Sequence, residues 1–246
     1  MELAVYAVEA EIERTHWWFV GRRRLVGHEI AALGLPCDAR IVDVGTGTGT
    51  NLQLLKELGY RRVSGLDRSE EAIRLCAEKG LGRVRQGDVC ALPFEDASLD
   101  LVVATDVIEH VADDALALRE IARVLAPGAH ALITVPAFPS LWGLQDELSH
   151  HFRRYRMAPL RRSLDAAGLR PLRCYHFNYL LFAPIWLARQ VLRLFRVRLA
   201  SEGLVNTPLL NRILMGIFDL DVATAARLAP PFGVSILALA QKPGQG

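Results

Sequence analysis

Cysteine is scarce and dispersed in this sequence. Cys37, Cys76, Cys90 and Cys174 form no C-x-x-C pair, so neither a disulfide framework nor a zinc site is expected, and a reducing cytoplasm is the default setting. Residues 1–15 are acidic and lack the apolar centre of a secretory signal. No internal repeat and no low-complexity linker divides the chain. Nucleophile–base triads and metal-binding motifs are missing, and no metal is expected. Long apolar runs are also missing. The nearest, Phe177 to Phe195, is interrupted by Pro184, Arg189 and Arg193, which argues against a membrane span.

What is present is a chain of 246 residues, 51% of them apolar. That suits one large α/β domain with an embellishment, or two small domains. The net charge of +2 conceals a strong asymmetry. Residues 1–149 carry 15 basic and 23 acidic side chains, whereas residues 150–200 carry 11 arginines and one acid, Asp165. The basic stretch is either a solvated helix face or an attraction for something anionic.

Short β-rich runs alternate with amphipathic segments. Strands are expected at 40–45, 62–67, 83–88, 100–106 and 129–135, with further ones at 169–178 and 232–241. Helices are expected at 51–58, at 70–79 with Ser69 as N-cap, and at 112–125, stopped by Pro127-Gly128. Strands separated by helices imply right-handed crossovers and a parallel sheet covered on both faces. Residues 1–35 are expected to form an N-terminal helical segment or lid. Residues 36–246 form the main domain, with an apolar, basic helical insertion at about 178–230 between the last two strands.

After the first strand stands Asp43-Val44-Gly45-Thr46-Gly47-Thr48-Gly49. Glycines there let the backbone approach a ligand and present amides at a helix N-terminus. Thr50 occupies the third glycine position of the dinucleotide pattern. Asp43 would be a poor neighbour for a pyrophosphate but suits a cationic amino-acid head, directly or through water. Asp67 ends the second strand, where an acid accepts from both ribose hydroxyls. Asp88 ends the third, where an acid can accept from an adenine amino group while Val89 packs on the ring. One acid at a strand end is usually a helix cap. Three in register with a glycine loop point to a crevice at the carboxyl rim of the sheet.

The segments VDVGTGTG, GLDRS, GDVCALPFEDASLDLVVATDVIEHV and LAPGAHALITVPAF resemble the motif series of the class I S-adenosylmethionine-dependent methyltransferases. The resemblance is greatest to small-molecule enzymes of the ubiquinone and menaquinone pathway type, and it is strong over residues 40–137. It implies a three-layer, doubly wound, mostly parallel seven-stranded sheet with an antiparallel last strand. It also implies S-adenosylmethionine as cofactor. Asp43, Gly45, Thr46 and Gly47 would surround the methionine part, and Asp67 and Arg68 the ribose. Asp88 and Val89 would hold the adenine, and Thr105 and Asp106 would line the sulfonium end.

Methyl transfer from a sulfonium needs alignment and exclusion of water more than it needs covalent help. A base is required only where the acceptor must lose a proton. The candidates are His110, in the Glu109-His110 pair after the fourth strand, and His150 and His151, in the connection after the fifth. Of these, His151 is the preferred base or acceptor-orienting group, set against a histidine that merely bonds a loop carbonyl. Asp146, His150 and His151 would be the metal set if there were one, on the assumption that Asp146 and His150 share a helix face. Arg153, Arg154 and Tyr155 suit a carboxylate or an anionic acceptor, or a salt bridge to the acidic half. Trp17 and Trp18, with Arg22, are core packing or a lid, and Arg22 is a candidate for the methionine carboxylate.

The segment 177–198 reads as a helix broken at Pro184 with arginines snorkelling at an interface, or as a cap over the acceptor pocket or a homodimer contact. The expected function is O-methylation of a small, hydrophobic or lipid-like acceptor, in the cytoplasm, either free or peripheral at an anionic membrane face. Rivals are a nucleic-acid methyltransferase, disfavoured because Ala104-Thr105-Asp106-Val107 stands where an Asn-Pro-Pro-Tyr type motif would be, an NAD-dependent oxidoreductase, and a cofactor-binding partner protein without turnover.

Overall fold

A computed structural model describes residues 10–194 and 207–244. Seven strands form one sheet: β1 (Arg40–Val44), β2 (Arg62–Asp67), β3 (Val84–Gln86), β4 (Leu99–Thr105), β5 (Leu125–Pro136), β6 (Arg170–Phe177) and β7 (Ser235–Gln241). Their order is β3-β2-β1-β4-β5-β7-β6. The first five run parallel, and β7 lies antiparallel between β5 and β6. The order reverses between β1 and β4, the position where open α/β sheets leave a crevice.

Strand residues alternate faces, and both faces are covered. Val102 and Ala104 of β4 join one buried cluster with helix α4 (Asp114–Val124) and helix α6 (Met157–Ala166). Leu101 and Val103 join the other with α1 (Trp17–Ala31), α2 (Thr50–Glu57), α3 (Glu70–Glu78) and α8 (Pro208–Leu228). This two-sided burial is why the strands read as continuous apolar runs. The N-terminal helix α1 is part of that second layer. Trp18 stacks on Phe218 of α8 at 5.4 Å and on Phe177 of β6 at 5.9 Å. Gly21 allows the approach, since a Cβ there would lie 2.1 Å from Phe218.

Three local expectations need correction. Helix α4 ends at Val124, before Pro127-Gly128; Leu125 already pairs with Leu99, and the Pro-Gly pair sits in a bulge before the ladder resumes at His130. Pro184 does not break a helix but lies in the first turn of α7 (Phe182–Leu194), where the missing N–H has no intrahelical partner to lose. Arg189 of α7 does not snorkel. It is 9% exposed, donates to the Leu141 carbonyl and lies 3.9 Å from Asp146. Residues 195–198 of the expected segment, and the side chain of Arg193, lie outside the described residues. Among the described residues, no helix is long and apolar enough to cross a membrane.

Candidate active site

A cavity of about 1020 Å³ opens at the carboxyl rim of the sheet. Its walls come from the β1, β2 and β4 ends, α1, the Leu144–Leu148 helix (α5) and the insertion helices.

The β1–α2 loop is shaped by backbone geometry. Gly45 and Gly47 adopt φ of +68° and +55°, a region that disfavours residues with a Cβ. At Gly45 a Cβ would also strike Val107 at 2.5 Å. Thr46 locks the turn, donating to the Asp43 carbonyl at 2.8 Å and accepting from the Leu66 amide at 3.1 Å. Asp67 is fixed at the rim by two amides, Gly47 at 2.8 Å and Ser69 at 2.9 Å. Each carboxylate oxygen retains acceptor capacity. Glu13, from the segment before α1, clasps the far side of the loop through Thr48, Thr50 and Lys79.

The three acids share the rim but not the cavity wall. Asp67 lines the cavity together with Arg68 and Val89. Asp43 is fully buried beneath the loop, with Oδ1 accepting from Asn51 and Oδ2 unpartnered. Burial pushes its carboxyl up to about 7, against the lowering effect of Asn51. Asp88 turns back to accept from the Cys90 amide at 2.9 Å, with Arg68 at 3.8 Å. Asn51 bridges Asp43 and Thr105 at 3.0 and 2.9 Å. Asp106, in a left-handed conformation (φ +55°), accepts from Thr134 and pairs with Arg22, and both members of that pair line the cavity.

At the opposite end the two imidazoles of His110 and His151 meet edge to face, 4.5 Å apart. His151 Nδ1 lies 2.9 Å from Asp146 Oδ1. Asp146 also accepts from Arg154 Nε at 2.8 Å and from the Gly143 amide at 2.7 Å. Burial alone would raise this carboxyl. The His151 bond and the Arg154 charge override it and hold Asp146 down at about 2. The anchored Nδ1 leaves Nε2 as the free nitrogen. His110 is pushed down to about 4, first by burial and then by the neighbouring His151. Glu109 is fully buried with neither oxygen partnered, and burial raises it well above the usual carboxylate range.

Other expected residues are engaged elsewhere. Arg153 pairs with Asp114 at 2.7 Å, and the Tyr155 hydroxyl donates to the same carboxylate at 2.8 Å, so neither lines the cavity. Arg154 does line it, but its guanidinium is committed to Asp146 and to the Ala137 carbonyl. His150 lines the cavity in a left-handed conformation. It cannot share a helix face with Asp146, because α5 stops at Leu148. Trp17, Trp18 and Arg22 line the cavity as well, so the same aromatics serve core and wall. Asn51 and Glu13 were not singled out in the sequence; an Asn in the first turn of α2 and an acid far upstream give no local signal.

A seven-stranded sheet with this order, a glycine loop after β1 and an acid at the end of β2 define a Rossmann-like class I methyltransferase fold. Residues 42–133 match the family model "Methyltransferase domain". A protein of Mycolicibacterium smegmatis named as a probable S-adenosylmethionine-dependent methyltransferase is 33% identical over 157 residues, 62% of this chain and 59% of that one. The chloroplastic 2-methyl-6-phytyl-1,4-hydroquinone methyltransferase of Arabidopsis thaliana is 34% identical over 109 residues, 43% of this chain and 32% of that one. The matches thus span less than two thirds of these relatives' lengths. A solved Thermotoga maritima S-adenosylmethionine-dependent methyltransferase, titled a possible histamine N-methyltransferase, superposes with a TM-score of 0.63 at 18% identity, over 97% of this chain and 95% of that one. Residues 42–133 are thus similar to a methyltransferase domain within a class I methyltransferase fold, and the relatives that match include a protein named as a probable S-adenosylmethionine-dependent methyltransferase.

Proposed function

We propose that the chain transfers the sulfonium methyl group to a hydroxyl of a small, hydrophobic acceptor. The observation that carries this is one continuous cavity with a nucleoside rim (Gly45–Gly47, Asp67, Val89) at one end and the Asp146-anchored His151 at the other. Asp67 would hold the ribose hydroxyls, with Val89 against the adenine. Thr105 and Asn51 face the cationic methionine end with Asp43 buried behind Asn51, and Arg22 exchanges Asp106 for the methionine carboxylate. Ile185, Ala188, Leu214 and Val234 give the acceptor region apolar walls. The hydroquinone named for the Arabidopsis relative is chemistry of that kind.

In the transfer, an oxygen lone pair attacks the methyl carbon in line, the C–S bond electrons return to sulfur, and the hydroxyl proton passes to His151 Nε2 or is otherwise oriented by it. Asp146 holds the tautomer that leaves Nε2 open. The test is mass spectrometry of a lipid-rich extract incubated with the protein and methyl-labelled cofactor. A labelled apolar product supports the reading. Saturable cofactor binding without any labelled product favours the non-catalytic partner reading, and label in nucleic acid favours the rival enzyme.

The insertion exposes Trp186, Leu187 and Val191 on α7 and Leu209 and Ile213 on α8. We infer that these exposed side chains meet an anionic membrane surface, the source of a lipid-like acceptor. Flotation with anionic vesicles at low salt tests it, and a concentration-dependent dimer by light scattering would assign the face to a second copy.

A further inference from the structure

We propose that Glu109, His110 and His151 form a divalent transition-metal site at the acceptor end of the cavity, although the sequence led to no such expectation. One ligand atom from each lies within 4.8 Å of the others. The residues come from two separate stretches. Glu109 and His110 sit on the 3₁₀ turn Ile108–His110 after β4, and His151 lies three residues beyond α5. The Phe152 amide donates to the Glu109 carbonyl at 2.8 Å and holds the two stretches together.

An independent observation points to a cation. Both carboxylate oxygens of Glu109 are buried without a partner, a costly arrangement for a polar side chain with nothing to bond. Glu109 lines the same cavity as the two histidines. The site is also supported from outside. Asp146 fixes His151 Nδ1 and is itself fixed by Arg154 and Gly143, the carboxylate–histidine support that orients a metal-ligating imidazole through its other nitrogen. The Ser149 backbone contacts the His110 ring. Two imidazoles and one carboxylate suit manganese, iron, cobalt or zinc rather than magnesium or calcium. Three protein ligands leave coordination positions open to the cavity.

This inference rests on the methyl-transfer reading and deepens it, giving His151 the orienting role in place of the base role. The acceptor would be a hydroxyl that binds the ion through oxygen. Binding there lowers the hydroxyl pKa, and the proton leaves to solvent. The oxygen then attacks the methyl carbon, and the C–S bond electrons pass to sulfur. Acceptors with a second oxygen beside the first, able to chelate, would be preferred.

The test is titration of Mn²⁺ and Zn²⁺ into chelator-treated protein by calorimetry, with Mn²⁺ electron paramagnetic resonance as second readout. One ion per chain is expected. Glu109→Gln and His151→Asn should weaken binding by at least about tenfold, Asp146→Asn by about 10–100-fold, and His150→Ala should leave it unchanged. Circular dichroism identifies a misfolded variant; His151→Asn, at a partly exposed position, keeps the test available if Glu109→Gln unfolds. Absence of binding in the wild type, or equal affinity in all folded variants, overturns the site. S-adenosylmethionine titrated into the same metal-free protein separates this failure from that of the methyl-transfer reading, because the cofactor rim shares no residue with the cluster.

Discussion

The buried carboxyl of Asp43 makes the stability of the cofactor-free protein depend on pH. Its pKa rises from 3.8 to about 7, chiefly through burial. A raised folded-state pKa means that the native chain holds a proton the unfolded chain has released. Stability is therefore undiminished below pH 4 and is lost as pH rises through 7. A shift of about three units corresponds to about 4 kcal/mol, or about 10 °C in Tm for a chain of this size. Asp43→Asn keeps the Asn51 bond and removes the titration. Other shifted groups, His110 and Glu109 among them, are common to both proteins and cancel in the difference. Urea denaturation of both from pH 4 to pH 8 should show the Asn variant gaining about 4 kcal/mol relative to the wild type. A difference independent of pH would refute a buried, proton-binding Asp43. The same argument predicts proton release on cofactor binding at pH 7, because a cationic ligand favours the carboxylate. Calorimetry in buffers of different ionisation enthalpy would detect it in the wild type and not in the variant.

Four further outcomes follow from the site. Asp67→Ala removes the acceptor of two amides and, on the proposed reading, of the two ribose hydroxyls, and should weaken S-adenosylhomocysteine about 100-fold at two charge-assisted bonds' worth of energy; equilibrium dialysis measures it. Gly45→Ala combines a left-handed φ with a 2.5 Å contact to Val107 and should cost at least tenfold in the same assay. Asp146→Asn should destabilise the protein by about 2 kcal/mol at pH 7, since a folded pKa held at about 2 gives stability present above pH 4 and lost as pH falls toward 2; pH-dependent denaturation checks both parts. With His151 as proton acceptor, His151→Ala should lower kcat by about 10²–10⁴ with cofactor affinity within about twofold.

Much of this architecture is written in local pattern. The strand runs 62–67 and 100–106 were readable because both sheet faces are buried, and the loop because three glycines follow a strand directly. Asp67 was placed by its distance of 20 residues from Gly47, now joined by a 2.8 Å bond. What escaped depends on pairings between distant segments. His151 could be singled out, but the Asp146 support could not. It requires α5 to stop at Leu148 and the chain to turn through a left-handed His150. Arg153 and Tyr155 carry the same residue types as a substrate clamp, but Asp114 on α4 diverts both, and the Val111 and Ala112 carbonyls hold Arg153 as well. Arg189 looked like a solvent-seeking cation in an apolar helix until Leu141 and Asp146 turned it inward. Trp18 was ambiguous because it has both roles, stacked on Phe218 and exposed to the cavity.

The most direct measurement of the central claim is calorimetric titration of S-adenosylmethionine and S-adenosylhomocysteine into the wild-type protein and Asp67→Ala. One saturable site per chain in the wild type, lost or strongly weakened in the variant, is the predicted result. No binding to the wild type, or equal binding to both proteins, would contradict it.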